Sequence, residues 1–450
     1  MTITEEYSNW AKNLSIKEIS EKTKSTLNYL IKDICGIILS ARNEKYVQSL
    51  VRAYKGTGDY ISLGHGKEFD LSSSAIIAGT AAHGEDFDDT FEGNPMHVGA
   101  CMIPGILAAA QKFNLNGDQI LKSLTVGSEL MCRLALVAPT AMHKQGFHPT
   151  AVCGTFGVAA GLSSVLDLNE KQMVSALGIA GSFTSGIIEY LAEGSWTKRV
   201  HPGWSANSGI NAVLMAQTDF FGPRTVIEGE HGFFKAFAIK DIKRDFSHLT
   251  DKLGSRWEIE NLAFKPFACG TMAQPFVDCA IKLRKKIKDY KKIKSIRALV
   301  GEGTVHRLWE PSKEKKNPST PYSAKFSVPY CVAVAFLRND AGLSEFDEKS
   351  IKEKDILELA SKVNYDIDPK NEYPKNYTGT LICTTDEEEL TEHQPCFRGG
   401  RKQPLTKNDI EKKFDANLNY SKISESNKSN LKSFIKSIFD KPDFSKILIK

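Results

Sequence analysis

No two cysteines of this 450-residue sequence form a CxxC pair. The nine are Cys35, Cys101, Cys132, Cys153, Cys269, Cys279, Cys331, Cys383 and Cys396, an odd number scattered along the chain. That argues against a zinc cage and a disulfide framework, and favours buried thiols in a reducing compartment. Charge of one sign is also scarce. The 59 basic and 54 acidic residues leave a formal +5, too little for the basic footprint of a nucleic-acid binder. No apolar run reaches the ~18 residues of a membrane span. The longest, about 98–110, holds Gly99, Pro104 and Gly105. The opening "MTITEEYSNWAKNL" is polar and acidic, unlike a signal peptide. A soluble cytoplasmic protein that contacts neither membrane nor nucleic acid is the expectation. No glycine loop of the dinucleotide or P-loop kind follows a strand, and no internal repeat stands out.

What remains is an ordinary globular composition, long enough for two or three domains. Apolar residues recur at helical spacing near Leu27, Leu30, Ile31, Ile34, Ile37 and Ile38. Similar segments lie around 72–86, 98–112, 118–137, 151–166, 170–181 and 205–218. Several are rich in small residues, as in "GTFGVAAGLSS", which lets helix axes approach closely. After Phe264 the texture changes. The stretch 276–294 predicts an amphipathic helix with a basic outer face, "SIRALVGEG" a strand, and "WEPSKEKKNPSTPYSAKFS" a long polar loop. "VPYCVAVAFLRND" predicts a buried helix and "YTGTLICTTDEEEL" a strand and turn. From about Leu405 the pattern returns to helix. The expected fold class is mainly α with an α+β insertion. A large all-helical domain is built from both chain ends (1–263 and 401–450), and a smaller α+β lid domain spans 264–400.

Five clusters carry potential chemistry. The densest is "AAHGEDFDDTFEGNPMHVGA", with His83, Glu85, Asp86, Asp88, Asp89 and, at its end, His97. It admits three readings: caps and solvated acids, a magnesium site in which "DDTFE" mimics the DDxxE of helical terpene synthases, or proton transfer by an acid held beside His97. Next, His148 precedes Pro149, suited to the first turn of a helix, where an imidazole can face an anionic ligand. His143 is weaker. "SWTKRVHPGWSANSG" brings Lys198, Arg199 and His201, cations able to bind carboxylates, and its tryptophans Trp196 and Trp204 suggest an ordered loop. Lys265 lies in "AFKPFACGTMAQP" near the expected domain junction. Tyr330 ends "AKFSVPY", as either a core residue with a satisfied hydroxyl or an acid. Metal-ligand spacing such as HExxH is absent around His97 and His148, so no metal is expected.

Taken in order, "HGEDFDDT", His97, "GFHPTAVCGTFG", "TKRVHPGWSANSG", "EGEHGFF", "FKPFACG" and "AKFSVPY" resemble the MmgE/PrpD family over nearly the whole chain. That family includes 2-methylcitrate dehydratase, cis-aconitate decarboxylase and iminodisuccinate epimerase. The resemblance implies a helical domain from both chain ends, an α+β lid and a homodimer. It also implies a cofactor-free site between the domains for small di- or tricarboxylates. The decarboxylase's site motifs fall on Asp86, Thr90, His97, His148, Lys198, Lys265 and Tyr330. Two departures stand out. Gly270, beside Cys269, occupies the place of a decarboxylase histidine, and His97 lies one residue further from its "DDT". Both argue against decarboxylation of cis-aconitate.

The resemblance thus implies a cofactor-independent lyase of hydro-lyase type, acting by proton transfer next to a carboxylate. His97 or His148 would be base or acid, Asp86 would orient a histidine, and Tyr330 would donate a proton or a hydrogen bond. Lys198 and Lys265 would polarise carboxylates, with Thr90, Arg199, His201, Cys269 and Gly270 lining the substrate. The alternatives are an epimerase of a dicarboxylate such as iminodisuccinate, a cis-aconitate decarboxylase and, from another class, a magnesium-dependent prenyl-diphosphate enzyme.

Overall fold

A computed structural model describes residues 1–92 and 94–449. The chain is mostly helical, with a small mixed sheet in its C-terminal part. It divides into two compact units. The first comprises residues 1–84, 88–262 and 410–450, the second residues 85–87 and 263–409. Among the described residues no helix is long and apolar enough to cross a membrane.

The first unit is built of helices whose starts are written in the sequence. Asp70 caps Leu71–His83 by accepting from the Ser73 amide at 2.7 Å. Asn116 with Gln119, and Asn169 with Gln172, close reciprocal capping boxes on Gly117–Val137 and Glu170–Phe183. Pro149–Ser163 is buried along its whole length and packs against both Gly117–Val137 and Thr197–Gln217. Small residues explain how. A Cβ on Gly79 would sit 2.4 Å from the Gly203 Cα, and one on Gly127 only 2.3 Å from the Gly157 carbonyl oxygen. The backbones touch there, so only glycine fits. The C-terminal segment is tied in by Lys413, whose ammonium lies 2.6 Å from the buried Asp33 carboxylate of helix Glu21–Ala41.

The expected loop through Trp196 and Trp204 is instead helix Thr197–Gln217, despite Pro202 within it. Packing overrides the local signal: a Cβ on Gly203 would meet the Ile76 carbonyl oxygen at 2.3 Å, so this turn is clamped against Leu71–His83.

The second unit centres on a four-stranded sheet. Its spatial order is Val363–Ile367, Ile293–Val300, Gly379–Thr385, Glu389–Gln394. The first pair is parallel and the other two antiparallel. Leu381 and Cys383 are buried on one face, as are Ile296, Ala298 and Val300 of the neighbouring strand. This is the alternation expected of a half-covered sheet. Helix Gln274–Lys286 packs on strands Gly379–Thr385 and Glu389–Gln394 and on helix Val328–Arg338. The helix expected over 276–294 therefore stops at Lys286. Ile293 already belongs to the strand, because the apolar period changes to two there. The polar stretch 309–327 holds two short helices, Ser312–Lys316 and Pro321–Ala324, the second capped by Thr320. All nine cysteines are buried free thiols.

Candidate functional site

Four histidines of the first unit meet. His83 ends helix Leu71–His83, His97 lies two residues before helix Gly99–Phe113, His148 is the N-cap residue of Pro149–Ser163, and His201 lies on Thr197–Gln217. Ring centroids are 4.7 Å apart for His83 and His97, 5.3 Å for His83 and His148, and 5.4 Å for His148 and His201. The first three are 1%, 6% and 2% exposed, and His201 is 9% exposed. These imidazoles are largely screened from water. The Tyr190 ring closes one side, 6.2 Å from His148 and 5.9 Å from His201.

Acids and backbone fix the rings. His83 Nδ1 donates to Asp88 Oδ2 at 2.7 Å, and His97 Nδ1 lies 3.3 Å from the same oxygen. His97 Nδ1 is 2.6 Å from the Asp89 carbonyl oxygen. That oxygen can only accept, so the Nδ1 carries the proton and Nε2 the lone pair. The His97 amide donates to Thr150 Oγ1 at 3.0 Å. His148 and His201 share a 3.2 Å contact between their Nδ1 atoms. Asp89 accepts from the amides of Val98 and Gly99 at 3.0 and 2.9 Å, capping Gly99–Phe113.

Burial lowers the pKa of His83 to about 4, and the positive charge of Lys198 adds to the effect. His201 is likewise lowered to about 4 by burial and Lys198. His148 falls well below the usual value, through burial first and then through the neighbouring histidines and Lys198. These three rings are neutral at pH 7. Asp88 stays below the usual carboxylate range in spite of burial, because His97 and His83 face it.

The predicted residues divide between the two units. The first holds Thr90, His97, His148, Lys198, Arg199 and His201. Thr90 is buried, in the short strand Thr90–Phe91. Arg199 sits 4.2 Å over the Tyr46 ring, a cation–π contact. The second unit holds Asp86, Lys265, Cys269, Gly270 and Tyr330. Lys265 is 1% exposed and donates to the Asp86 carbonyl at 2.7 Å, with Asp86 Oδ1 at 3.4 Å. Asp86 holds φ at +54°, a left-handed conformation that costs energy in most residues and is tolerated by aspartate.

Three expectations need correction. Tyr330 is fully buried and its hydroxyl donates to the Glu345 carbonyl at 2.7 Å, the geometry of a satisfied core residue. Gly270, expected to line the substrate, is packed against protein: a Cβ there would lie 3.2 Å from the Phe326 ring. Cys269, expected beside it, turns its buried sulfur to Gln274 Nε2 at 3.4 Å. The acids of "DDTFE" make no magnesium cradle, with Asp88 committed to imidazoles and Asp89 to amides.

Two features had no assigned role in the sequence. His83 with Asp88 lay in the densest polar cluster, but only folding shows that they orient one another. Lys325, 1% exposed, pairs with Glu85, donating at 2.6 Å to its carboxylate and at 2.9 Å to its carbonyl. The clue was a lysine inside the apolar "AKFSVPY". Two buried lysines of the second unit thus hold the turn 85–86.

Comparison with known proteins completes this picture. The MmgE/PrpD N-terminal domain model matches residues 5–245, and the MmgE/PrpD C-terminal domain model matches residues 267–436. The chain belongs to the MmgE/PrpD family. Among its relatives, a cis-aconitate decarboxylase of Homo sapiens is 28% identical over 390 residues, covering 83% of this chain and 77% of that protein. A cis-aconitate decarboxylase of Aspergillus terreus is 24% identical, covering 80% and 77%. A cis-aconitate decarboxylase-like protein of Aspergillus oryzae is 22% identical, covering 99% and 96%. The N-terminal MmgE/PrpD match thus includes the whole histidine cluster and Asp86, while Lys265 lies between the two matched segments.

Proposed function

We propose that this chain is a cofactor-independent lyase that moves a proton at the carbon next to a carboxylate of a small di- or tricarboxylate, most simply by eliminating water. The observation that carries this reading is the buried cluster of neutral imidazoles under the charge of Lys198. A carbon acid next to a carboxylate yields a dianionic enolate, which needs fixed cations in a dry site. It also needs a base whose lone pair is free at neutral pH. His148 supplies that lone pair, with His97 placed beside it as the partner in proton transfer. Without substrate, a depressed pKa makes His148 a weak base. A polyanionic substrate neutralises Lys198 and attracts the proton, which raises the imidazole toward neutrality as the reaction requires. Lys198 is assigned to a substrate carboxylate. Asp88 orients His83 and His97.

The second reading, decarboxylation of cis-aconitate, draws on the relatives' names. Gly270 opposes it. No imidazole stands there, and one introduced there would have to displace Phe326. To decide between them, purified protein is incubated with hydroxytricarboxylates and with cis-aconitate, and the products are resolved by NMR. Loss of water without loss of carbon dioxide supports the first reading, and robust itaconate formation overturns it.

A homodimer belongs to the same proposal. Ile187, Leu191, Trp196, Trp204, Met215, Phe220 and Phe221 are each 40–64% exposed. So many large apolar side chains within 35 positions of the first unit make a surface suited to a second copy.

A further inference from the structure

His83, His97 and His148 have a property that proton transfer does not require. One ring nitrogen of each lies within 4.8 Å of one from each of the others. Their remaining bonds determine where the lone pairs are. The carboxylate of Asp88 takes the Nδ1 proton of His83, and the Asp89 carbonyl takes that of His97, so both rings carry their lone pair on Nε2. His148 Nδ1 faces His201 Nδ1. When His148 is the donor of that pair, its Nε2 is a third base. The Nε2 of His83 is buried and has no hydrogen-bond partner among the described protein residues, so its acceptor is left to a ligand.

We propose that His83, His97 and His148 form a binding site for a borderline divalent cation such as zinc, held through their Nε2 atoms with the fourth position open. Three imidazoles with one vacancy is an established zinc arrangement. The outer shell is of the usual kind as well, with a carboxylate on one Nδ1 and a backbone carbonyl on another. The ionised Asp88 favours the ion, Lys198 opposes it, and His201 is uncharged. A tetrahedral site with metal–nitrogen bonds of about 2.0–2.1 Å needs nitrogens about 3.3 Å apart. The ring nitrogens now lie within 4.8 Å of one another, so the rings close on the ion as it enters. The ion would take the lone pairs that a base needs, so metal binding and the proton transfer proposed above exclude each other. The site is thus inhibitory. Its existence does not depend on that reaction, because binding is read without substrate.

The test uses the full-length protein stripped with chelator, with cobalt(II) as the spectroscopic probe and zinc(II) in calorimetry. The expected result is one cobalt per chain with the intense visible bands of a tetrahedral site, displaced by zinc. His83→Ala and His97→Ala should each bind at least about a hundredfold more weakly. Asp88→Asn should weaken binding by about 10–100-fold through the lost outer-shell bond. Circular dichroism checks each fold, and if His83→Ala does not fold, His97→Ala decides. The proposal is overturned if wild-type protein gives only the pale spectrum of hydrated cobalt. It is equally overturned if the folded variants bind as tightly as wild type.

Discussion

Lowering the pH from 7.0 to about 5.5 should cost stability through the histidine cluster, and His83 allows the amount to be worked out. Its pKa is about 4 in the folded chain, chiefly through burial, against a reference value of about 6.5 when unfolded. A depressed histidine leaves stability intact above the unfolded pKa. As pH falls, the unfolded chain takes up a proton that the folded chain refuses, until the folded pKa is reached. Between pH 7.0 and 5.5 that difference is about 1.2 kcal/mol, and it approaches about 3 kcal/mol below pH 4. Other groups pull the opposite way. Asp89, raised by burial and by the charges of Asp88 and Asp33, stabilises the folded chain as pH falls. The comparison is therefore wild type against His83→Gln, in which the amide is positioned to donate to Asp88 but cannot titrate. Urea unfolding at the two pH values should show the stability difference between them shrinking by about 1 kcal/mol at the lower pH. A difference that stays constant or grows would refute the buried, neutral imidazole.

Lys265→Met should destabilise the protein by about 2–4 kcal/mol, because it removes a buried ammonium that donates to the Asp86 carbonyl and lies 3.4 Å from its carboxylate. Thermal unfolding checks this, and a loss below about 1 kcal/mol would contradict it. Lys198→Ala should lower kcat by about a hundredfold to a thousandfold with a smaller change in KM, since a cation on the developing enolate acts mainly in the transition state. Light scattering should give a dimer at micromolar concentration, and Phe220→Glu with Phe221→Glu should shift it toward monomer.

Much of the fold was legible because local and global signals agree. The apolar spacing around 72–86, 118–137 and 170–181 falls on helices that Asp70, Asn116 and Asn169 cap. Pro149 also opens its helix as its chemistry suggests, placing His148 at the N-cap. Reading failed where packing decides. Two tryptophans suggested an ordered loop, but Gly203 lies against Ile76 and the helix runs through. The site was legible as a set of residues and not as a geometry. Spacing along the chain cannot show that His83 and His148, 65 positions apart, stack with centroids at 5.3 Å. Nor can it show that Asp88 holds an imidazole while Asp89 caps a helix. Tyr330 left both its readings open in the sequence, and only the Glu345 carbonyl within reach decides between them.

The central claim is proton transfer next to a carboxylate, and solvent exchange tests it most directly. Purified protein in heavy water is offered a panel of hydroxy- and amino-dicarboxylates and tricarboxylates, and NMR follows each carbon next to a carboxylate. The account predicts deuterium at that carbon, or loss of its hydrogen, in at least one member of the panel, abolished in His148→Gln and strongly reduced in Lys198→Ala. Exchange in none of the panel, or exchange unchanged in a folded His148→Gln variant, would contradict it.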